Sequence, residues 1–302
     1  MLSLLMNLRT LLLATIPLIP AAFAFACGGA NDNLPPPPPP PPPAPTEAPA
    51  AMTDASTTPA SPAVAPPPAP PITLSVGSAS PDPPAPTPTV KIAAPAKEQI
   101  IPSAKAADFE VKLDVKNWKT EKGDSHVHLI LDGKPYKPIY DTKAPVKLSE
   151  LTGGDPLADG QHILVAFPSR ANHESVKTPG AVAITEFWIG KKGDKSQDPT
   201  KPMVIYSRPK GEYKGDMANH VIVDFQLAND KLAEGKDHVH VTVTGPGIDA
   251  EKSADATSFG APFYLENLQD GSYSVKLELQ GVDGKVLPGT WNSTTRSITV
   301  AH

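Results

Sequence analysis

Apolar and polar residues alternate along Phe109-Glu-Val-Lys-Leu-Asp-Val115, and the same alternation runs through Ser274-Val-Lys-Leu-Glu-Leu279. A period of two sends successive side chains to opposite faces of an extended chain, so both segments predict half-buried strands. Residues 126–131, 161–167, 181–189, 221–227, 238–243 and 296–300 are further strand candidates. Turn-forming residues punctuate them: Asp132-Gly133, Gly153-Gly154-Asp155, Gly245-Pro246-Gly247 and Asp283-Gly284. Glycine, proline and aspartate at such spacing end strands and reverse the chain. No window carries the period of an amphipathic helix.

The pattern occurs twice. At a constant offset of 112 residues, Val111 matches Val223, Leu113 matches Phe225, and Val115 matches Leu227. Asn117 likewise matches Asn229, Gly123 matches Gly235, and the pair His126/His128 matches His238/His240. Pro145-Val-Lys-Leu-Ser-Glu-Leu151 then matches Pro262-Phe-Tyr-Leu-Glu-Asn-Leu268 with a small shift, in the same order. A duplicated unit of several short strands predicts an all-β fold of two tandem immunoglobulin-like β-sandwich domains. The expected limits are 108–190 and 202–302, joined by a charged, glycine-containing linker at 191–201.

Composition changes the picture at the N-terminal end. Of the 39 prolines, 25 lie between Pro35 and Pro102, nine of them consecutive. Such a stretch cannot bury enough apolar surface to offset chain entropy, and proline biases it toward extended polyproline geometry. Residues 27–107 therefore predict an unfolded tether. Residues 1–26 have the short apolar run and small-residue end of a secretory signal peptide, too short and interrupted for a permanent span.

Ala24-Phe25-Ala26-Cys27-Gly28-Gly29 resembles the bacterial lipobox, which implies acylation of Cys27 and a membrane anchor. Ala24 stands where leucine is usual, and Ala24-Phe25-Ala26 also fits ordinary signal peptidase, so release with a free thiol stays open. The expectation is an exported chain, lipid-anchored to the bacterial envelope on its periplasmic or cell-surface face. With one cysteine there is no internal disulfide and no multi-thiolate zinc site. With 27 basic against 32 acidic residues and no basic block, nucleic acid is not an expected partner.

The candidate chemistry is histidine. A His-x-His pair on a strand puts both rings on one face, and imidazole suits copper, nickel and zinc. His126 and His128, with His162 from a neighbouring strand and His173 beyond it, form the candidate metal set, with copper or zinc the possible cofactor. Against it stands Val127: if the valine faces the core, both rings face outward, and surface histidines on strands are commonly idle. Arg170, Asn172, Glu174 and Lys177 form a dense polar loop, a candidate ligand-binding cluster or a solvated turn. Ser169, Ser175, His173 and Glu174 are neighbours along one loop, an arrangement that seldom orients a nucleophile, and no nucleophile-elbow motif occurs, so no enzyme is expected. Trp118, Trp188 and Trp291 are expected to pack within the fold.

His126-Val-His-Leu-Ile-Leu-Asp-Gly-Lys-Pro-Tyr136 and Gly160-Gln-His-Ile-Leu-Val-Ala-Phe-Pro-Ser-Arg170 resemble motifs of an uncharacterised family of exported bacterial proteins with tandem immunoglobulin-like domains. Arg208-Pro-Lys-Gly-Glu-Tyr213 and Asp224-Phe-Gln-Leu-Ala-Asn229 resemble the second domain of that family. The histidine layout is similar to small copper-handling envelope domains, although the cysteine and methionine ligands of blue-copper centres are missing. The leading expectation is a non-catalytic, membrane-anchored pair of binding modules for an envelope protein or glycan. The alternative is a copper- or zinc-binding envelope protein.

Overall fold

A computed structural model describes residues 70–302, so the signal segment, Cys27 and tether residues up to 69 lie outside the described residues. In chain order the strands are β1 (Thr73–Val76), β2 (Thr89–Ala94), β3 (Gln99–Ile101), β4 (Glu110–Lys116), β5 (His126–Leu131) and β6 (Lys137–Ile139). They continue with β7 (Val146–Lys147), β8 (Gly160–Ser169), β9 (Ala183–Ile189), β10 (Met203–Arg208), β11 (Gly211–Lys214) and β12 (His220–Ala228). The last are β13 (His238–Thr244), β14 (Lys252–Ala256), β15 (Phe263–Glu266), β16 (Gly271–Gln280) and β17 (Ser293–Ala301). No helix of the described residues is long and apolar enough to cross a membrane.

The fold is all-β, and two immunoglobulin-like sandwiches follow one another with one topology. In the first, β2-β4-β7 faces β3-β9-β8-β5-β6; in the second, β15-β12-β10 faces β11-β17-β16-β13-β14. The short strands β3 and β11 each run parallel to the last strand of their own unit, β9 and β17. The duplication extends to backbone detail. Asn117 and Asn229 both adopt left-handed geometry, at φ 56° and 58°. Each side-chain amide donates to a carbonyl just ahead of its unit's first strand, Thr87 in one case and Lys201 in the other. Asparagine tolerates this conformation and supplies the donor, so the match at offset 112 has a physical content.

The sequence placed the tether's end too late. Residues 27–107 were expected to be unfolded, but β1, β2 and β3 all lie within that stretch. Proline density hid them: β2 and β3 are short, and β1 gains order only by pairing with a strand nearly two hundred residues away. β1 pairs antiparallel with β15, from Thr73 opposite Glu266 to Val76 opposite Phe263, and so becomes the fourth strand of the second sandwich. Ile72, just before it, is 5% exposed in that sandwich's core. Ile72→Ala is therefore expected to lower unfolding free energy by about 2–4 kcal/mol in denaturant titration. A tether residue would show no change, and a flat result would remove β1 from the fold.

The connection at 191–201 joins β9 to β10 without a strand of its own and lies against the first sandwich. Gln197 is buried, and the side chain of Gln161 accepts from the backbone of Ser196 and Gln197. Lys195 pairs with the buried Glu186 at 2.8 Å. These contacts strap the connection to the first sandwich.

Each sandwich has its own apolar core. Val127, Leu129, Leu164 and Phe187 belong to the first; Val223, Phe225, Val241 and Leu277 belong to the second. A third cluster lies between them. Ile130, Tyr136, Ile163, Val165 and Phe167, on the outer face of the first unit's five-stranded sheet, pack against Met203, Ile205, Ala228 and Trp291 of the second. β5 and most of β8 are consequently buried on both faces.

Candidate functional site

His126 and His128 project from β5 away from Val127 and Leu129, as alternation demands. The outward face was expected to meet solvent; here the second sandwich covers it, and the two histidines are 1% and 0% exposed. His173 joins them from the loop between β8 and β9, its backbone held at φ 68°. Its left-handed conformation turns the ring back over β5; histidine is among the residues enriched there. His128 Nε2 lies 3.0 Å from His126 Nε2, which lies 3.2 Å from His173 Nδ1. All three ligand atoms fall within 4.8 Å of one another.

The protonation pattern follows from the partners. His126 Nδ1 sits 2.7 Å from the Asp124 carbonyl, which only accepts, so Nδ1 carries the hydrogen and Nε2 keeps its lone pair. Tyr136 Oη lies 3.2 Å from His173 Nδ1. The His126 Nε2 lone pair can accept a ring N–H from His128 Nε2 at 3.0 Å or from His173 Nδ1 at 3.2 Å, while His128 Nδ1 meets Ser207 Oγ at 2.9 Å. A carbonyl-anchored ring nitrogen opposite a free one is the arrangement that orients imidazole for a metal ion. In a tetrahedral site with metal–nitrogen bonds of about 2.0–2.1 Å, neighbouring donors lie about 3.3–3.4 Å apart. The two shorter separations here match that span to within a few tenths of an ångström.

Electrostatics keep the rings neutral. Burial lowers the pKa of His126 and takes that of His128 well below the ordinary imidazole value. Burial, then the Arg208 charge, pushes His173 down to about 3. Neutral imidazole is the form that binds metal. Beside the trio stand Arg208 and Lys210, which, like Arg296 beyond them, form no ion pair among the described residues. Arg296 is spent on carbonyls, including those of Tyr206 and Ser207. Lys210 donates to the Tyr136 carbonyl at 2.7 Å, and burial lowers its pKa to about 8.

His162 does not belong to the cluster. It points to the core side of β8 with Leu164 and Ala166, the opposite face of the sheet from His126 and His128. Its ring nitrogens are occupied, Nδ1 by Asp132 at 2.7 Å and Nε2 by the Ala158 carbonyl at 2.8 Å. Burial opposes its charge, but the bonds to Asp132 and Ala158 outweigh that and raise its pKa. The duplication explains its position. Tyr273 is its counterpart in the second unit, and the Tyr273 hydroxyl donates to the Gln269 carbonyl four residues upstream, as His162 reaches Ala158. A tyrosine corner of this kind fixes the strand entry in immunoglobulin-like folds, and His162 does the same work in the first unit.

The polar loop is committed to internal contacts. Glu174 is buried and accepts from the backbone and hydroxyl of Ser80, just after β1. Arg170 donates to the Pro81 carbonyl at 2.7 Å. Lys177 pairs at 2.6 Å with Asp224, which is fully buried and also accepts from the Ser175 backbone. The Asn172 side chain accepts from Glu174 N. Arg170, Glu174 and Lys177 thus pin the loop that carries His173 to both the N-terminal segment and the second sandwich. Asn172 alone of the four lines a cleft of about 440 Å³, together with His173, Arg208, Tyr213, Tyr264 and His220. The trio meets this cleft through His173.

In the second unit His238 and His240 occupy the positions of His126 and His128, but no second sandwich seals them and their side chains stay 17% and 22% exposed among the described residues. They are half-buried, and His240 pairs with Asp255 at 2.6 Å. Sequence reasoning missed Tyr136, Ser207, Arg208 and Lys210. All but Ser207 lie in the strings Asp132–Tyr136 and Arg208–Tyr213, which carry more polar and aromatic character than a turn requires.

No family model and no curated protein matches the chain. Among solved structures, fibronectin(III)-like modules of CbhA from Clostridium thermocellum share 15% identity over 70% of this chain and 94% of that one, with a TM-score of 0.24. The chicken interferon gamma receptor alpha chain shares 13% over 72% of this chain and 99% of that one, at 0.23. SGBP-B of Bacteroides ovatus, solved with a mixed-linkage heptasaccharide, shares 13% over 70% of each chain, at 0.20. The fold class rests on the sheet topology, and these likenesses say nothing about a ligand.

Proposed function

We propose that this is an exported, lipid-anchored envelope protein whose paired sandwiches bind their ligand without transforming it, and that the ligand is a transition-metal ion, copper or zinc. One observation carries the choice of ligand: ring nitrogens of three histidines that burial holds neutral converge at 3.0 and 3.2 Å. Three histidines suit copper and zinc, and of the two the affinity order favours Cu(II). His126, His128 and His173 replace the set first expected, with His162 removed. The anchor rests on Cys27 and the proline-rich stretch behind it, as the sequence reads.

Calorimetric titration of the mature protein with Cu(II) and Zn(II) tests the ligand. The wild type is expected to bind one ion per chain. His126→Ala/His128→Ala is expected to weaken binding by more than about 100-fold, because losing direct ligands costs more than the 10–100-fold loss typical of their outer-shell partners. His162→Ala is expected to leave affinity unchanged. Absence of binding in the wild type, or equal loss in His162→Ala, refutes the site. A mass spectrum of the mature N-terminus tests the anchor: diacylglycerol on Cys27 supports it, and an unmodified thiol refutes it.

A further inference from the structure

The outer face of the second sandwich breaks its own pattern beside the junction. On β12 and β15 the inward residues Val221, Val223, Phe263 and Leu265 fill the core, so Ile222 and Tyr264 point outward, opposite each other in the ladder. An outward position on a solvated sheet ordinarily takes a polar side chain. Here the pair lines the cleft of about 440 Å³, a size usual for small-molecule sites, and Met217, 63% exposed, lines it too. The polar groups on its walls are rich in donors. Tyr213 Oη accepts from Arg208 Nη1 at 3.1 Å and from the Lys210 backbone at 3.3 Å, and its own hydrogen meets no acceptor among the described residues. The Arg208 guanidinium meets no carboxylate among the described residues, and its Nε is buried without a partner. Asn172 commits its side-chain oxygen to Glu174 N, and its amide hydrogens meet no acceptor among the described residues. The acidic group on the wall is already engaged: Glu212 pairs with Lys214 at 2.9 Å.

We propose that this cleft binds a small organic monocarboxylate with an aromatic or aliphatic body. Its carboxylate is held by Arg208, Tyr213 and Asn172, and its body lies against Ile222, Tyr264 and Met217. An ionised carboxylate only accepts hydrogen bonds, so it satisfies donors that find no acceptor within the fold. Guanidinium and carboxylate are planar and match as a fork, which gives such a pair direction as well as strength. One guanidinium balances one negative charge. A dianion such as a phosphate monoester would keep a second charge unmatched beside apolar walls, and that is costly. Methionine adapts its shape to what it meets, which suits a body of variable outline. This ligand is distinct from the metal ion, and the metal-free protein is expected to take it.

Calorimetric titration of the mature, metal-free protein tests this with phenylacetate, phenylbutyrate and octanoate, each beside its neutral amide. At least one of the acids is expected to bind once per chain with a Kd below about 1 mM. Its amide is expected to bind about 10–100-fold more weakly, the loss that goes with hydrogen bonds to a charged group. Arg208→Lys keeps the charge without the fork, and Tyr213→Phe keeps the ring without the donor. Both are expected to weaken the acid and leave the amide as it was. Acid and amide bound equally, phenyl phosphate bound more tightly than the phenyl acids, or no acid bound by the wild type overturns the proposal. The wild-type comparison decides by itself, so a variant that fails to fold does not rescue it. With no metal present in any arm, each of these outcomes leaves the histidine site to its own test.

Discussion

Replacing Asp224 by alanine is expected to cost about 3–5 kcal/mol of unfolding free energy, because Lys177 is left charged and without its partner in the junction. The Lys177 and Asp224 side chains are 7% and 0% exposed and meet at 2.6 Å. The Lys177 ammonium also lies about 6 Å from the rings of Phe225 and Phe259, which offer too little to replace a carboxylate. Asp224 further accepts from the Ser175 backbone, two residues beyond His173. Metal affinity is thus expected to fall along with stability. The double variant Lys177→Met/Asp224→Leu removes both charges and is expected to recover much of the loss, since an apolar pair of similar volume is commonly as stable as a buried ion pair. Denaturant midpoints of the two variants decide the matter. If Asp224→Ala unfolds at the wild-type midpoint, the junction is not closed as described.

Acid is expected to destabilise the metal-free protein on the order of 2 kcal/mol over the first pH unit below about 6.5. Burial holds His126, His128 and His173 below the ordinary imidazole range. In that window the unfolded chain takes up protons at these positions and the folded chain does not. The stability they contribute is complete above the unfolded value and is lost as pH falls. Each histidine held far below that range contributes about 1.4 kcal/mol per pH unit. His162 has the opposite sign: its raised pKa contributes stability below about 6.5 that fades as pH rises through the folded value, so it offsets part of the trend. Urea unfolding of metal-free protein from pH 7.5 to 5 measures the slope, and His128→Leu is expected to reduce it by about one proton. A level profile would mean the trio is not buried neutral.

Several features of the site were written in the chain, though less plainly than the repeat. In β16 the alternation Ser-Val-Lys-Leu-Glu-Leu survives because one face of that strand meets solvent in part. In β5 and β8 it breaks down: Leu129-Ile-Leu131 and Ile163-Leu-Val-Ala-Phe167 are apolar at every position. A strand loses its alternation when both faces are buried, so these two segments of the first unit already signalled a second contact surface. With Val127 facing the core, that pattern puts His126 and His128 beneath a cover, whereas the alternation at the start of β5 alone leads to the expectation of solvent. The second unit's His238 and His240 lie in a strand that keeps a polar outer face, and they stay partly exposed. Identical motifs therefore met different fates, for a reason local to their flanking residues.

The sequence by itself determined the all-β class, the duplication, most of the longer strands and the two candidate histidines on one face. These follow from side-chain period and turn chemistry, which act between near neighbours. The tertiary structure alone decided which third histidine joins them, that His162 serves as a corner, that the polar loop is a clamp, and that β1 returns to the second sandwich. Apart from the bond of His162 to Ala158 four residues upstream, those features depend on contacts between residues tens to nearly two hundred positions apart, where the packing of one sheet upon another, and not any local pattern, selects the partner.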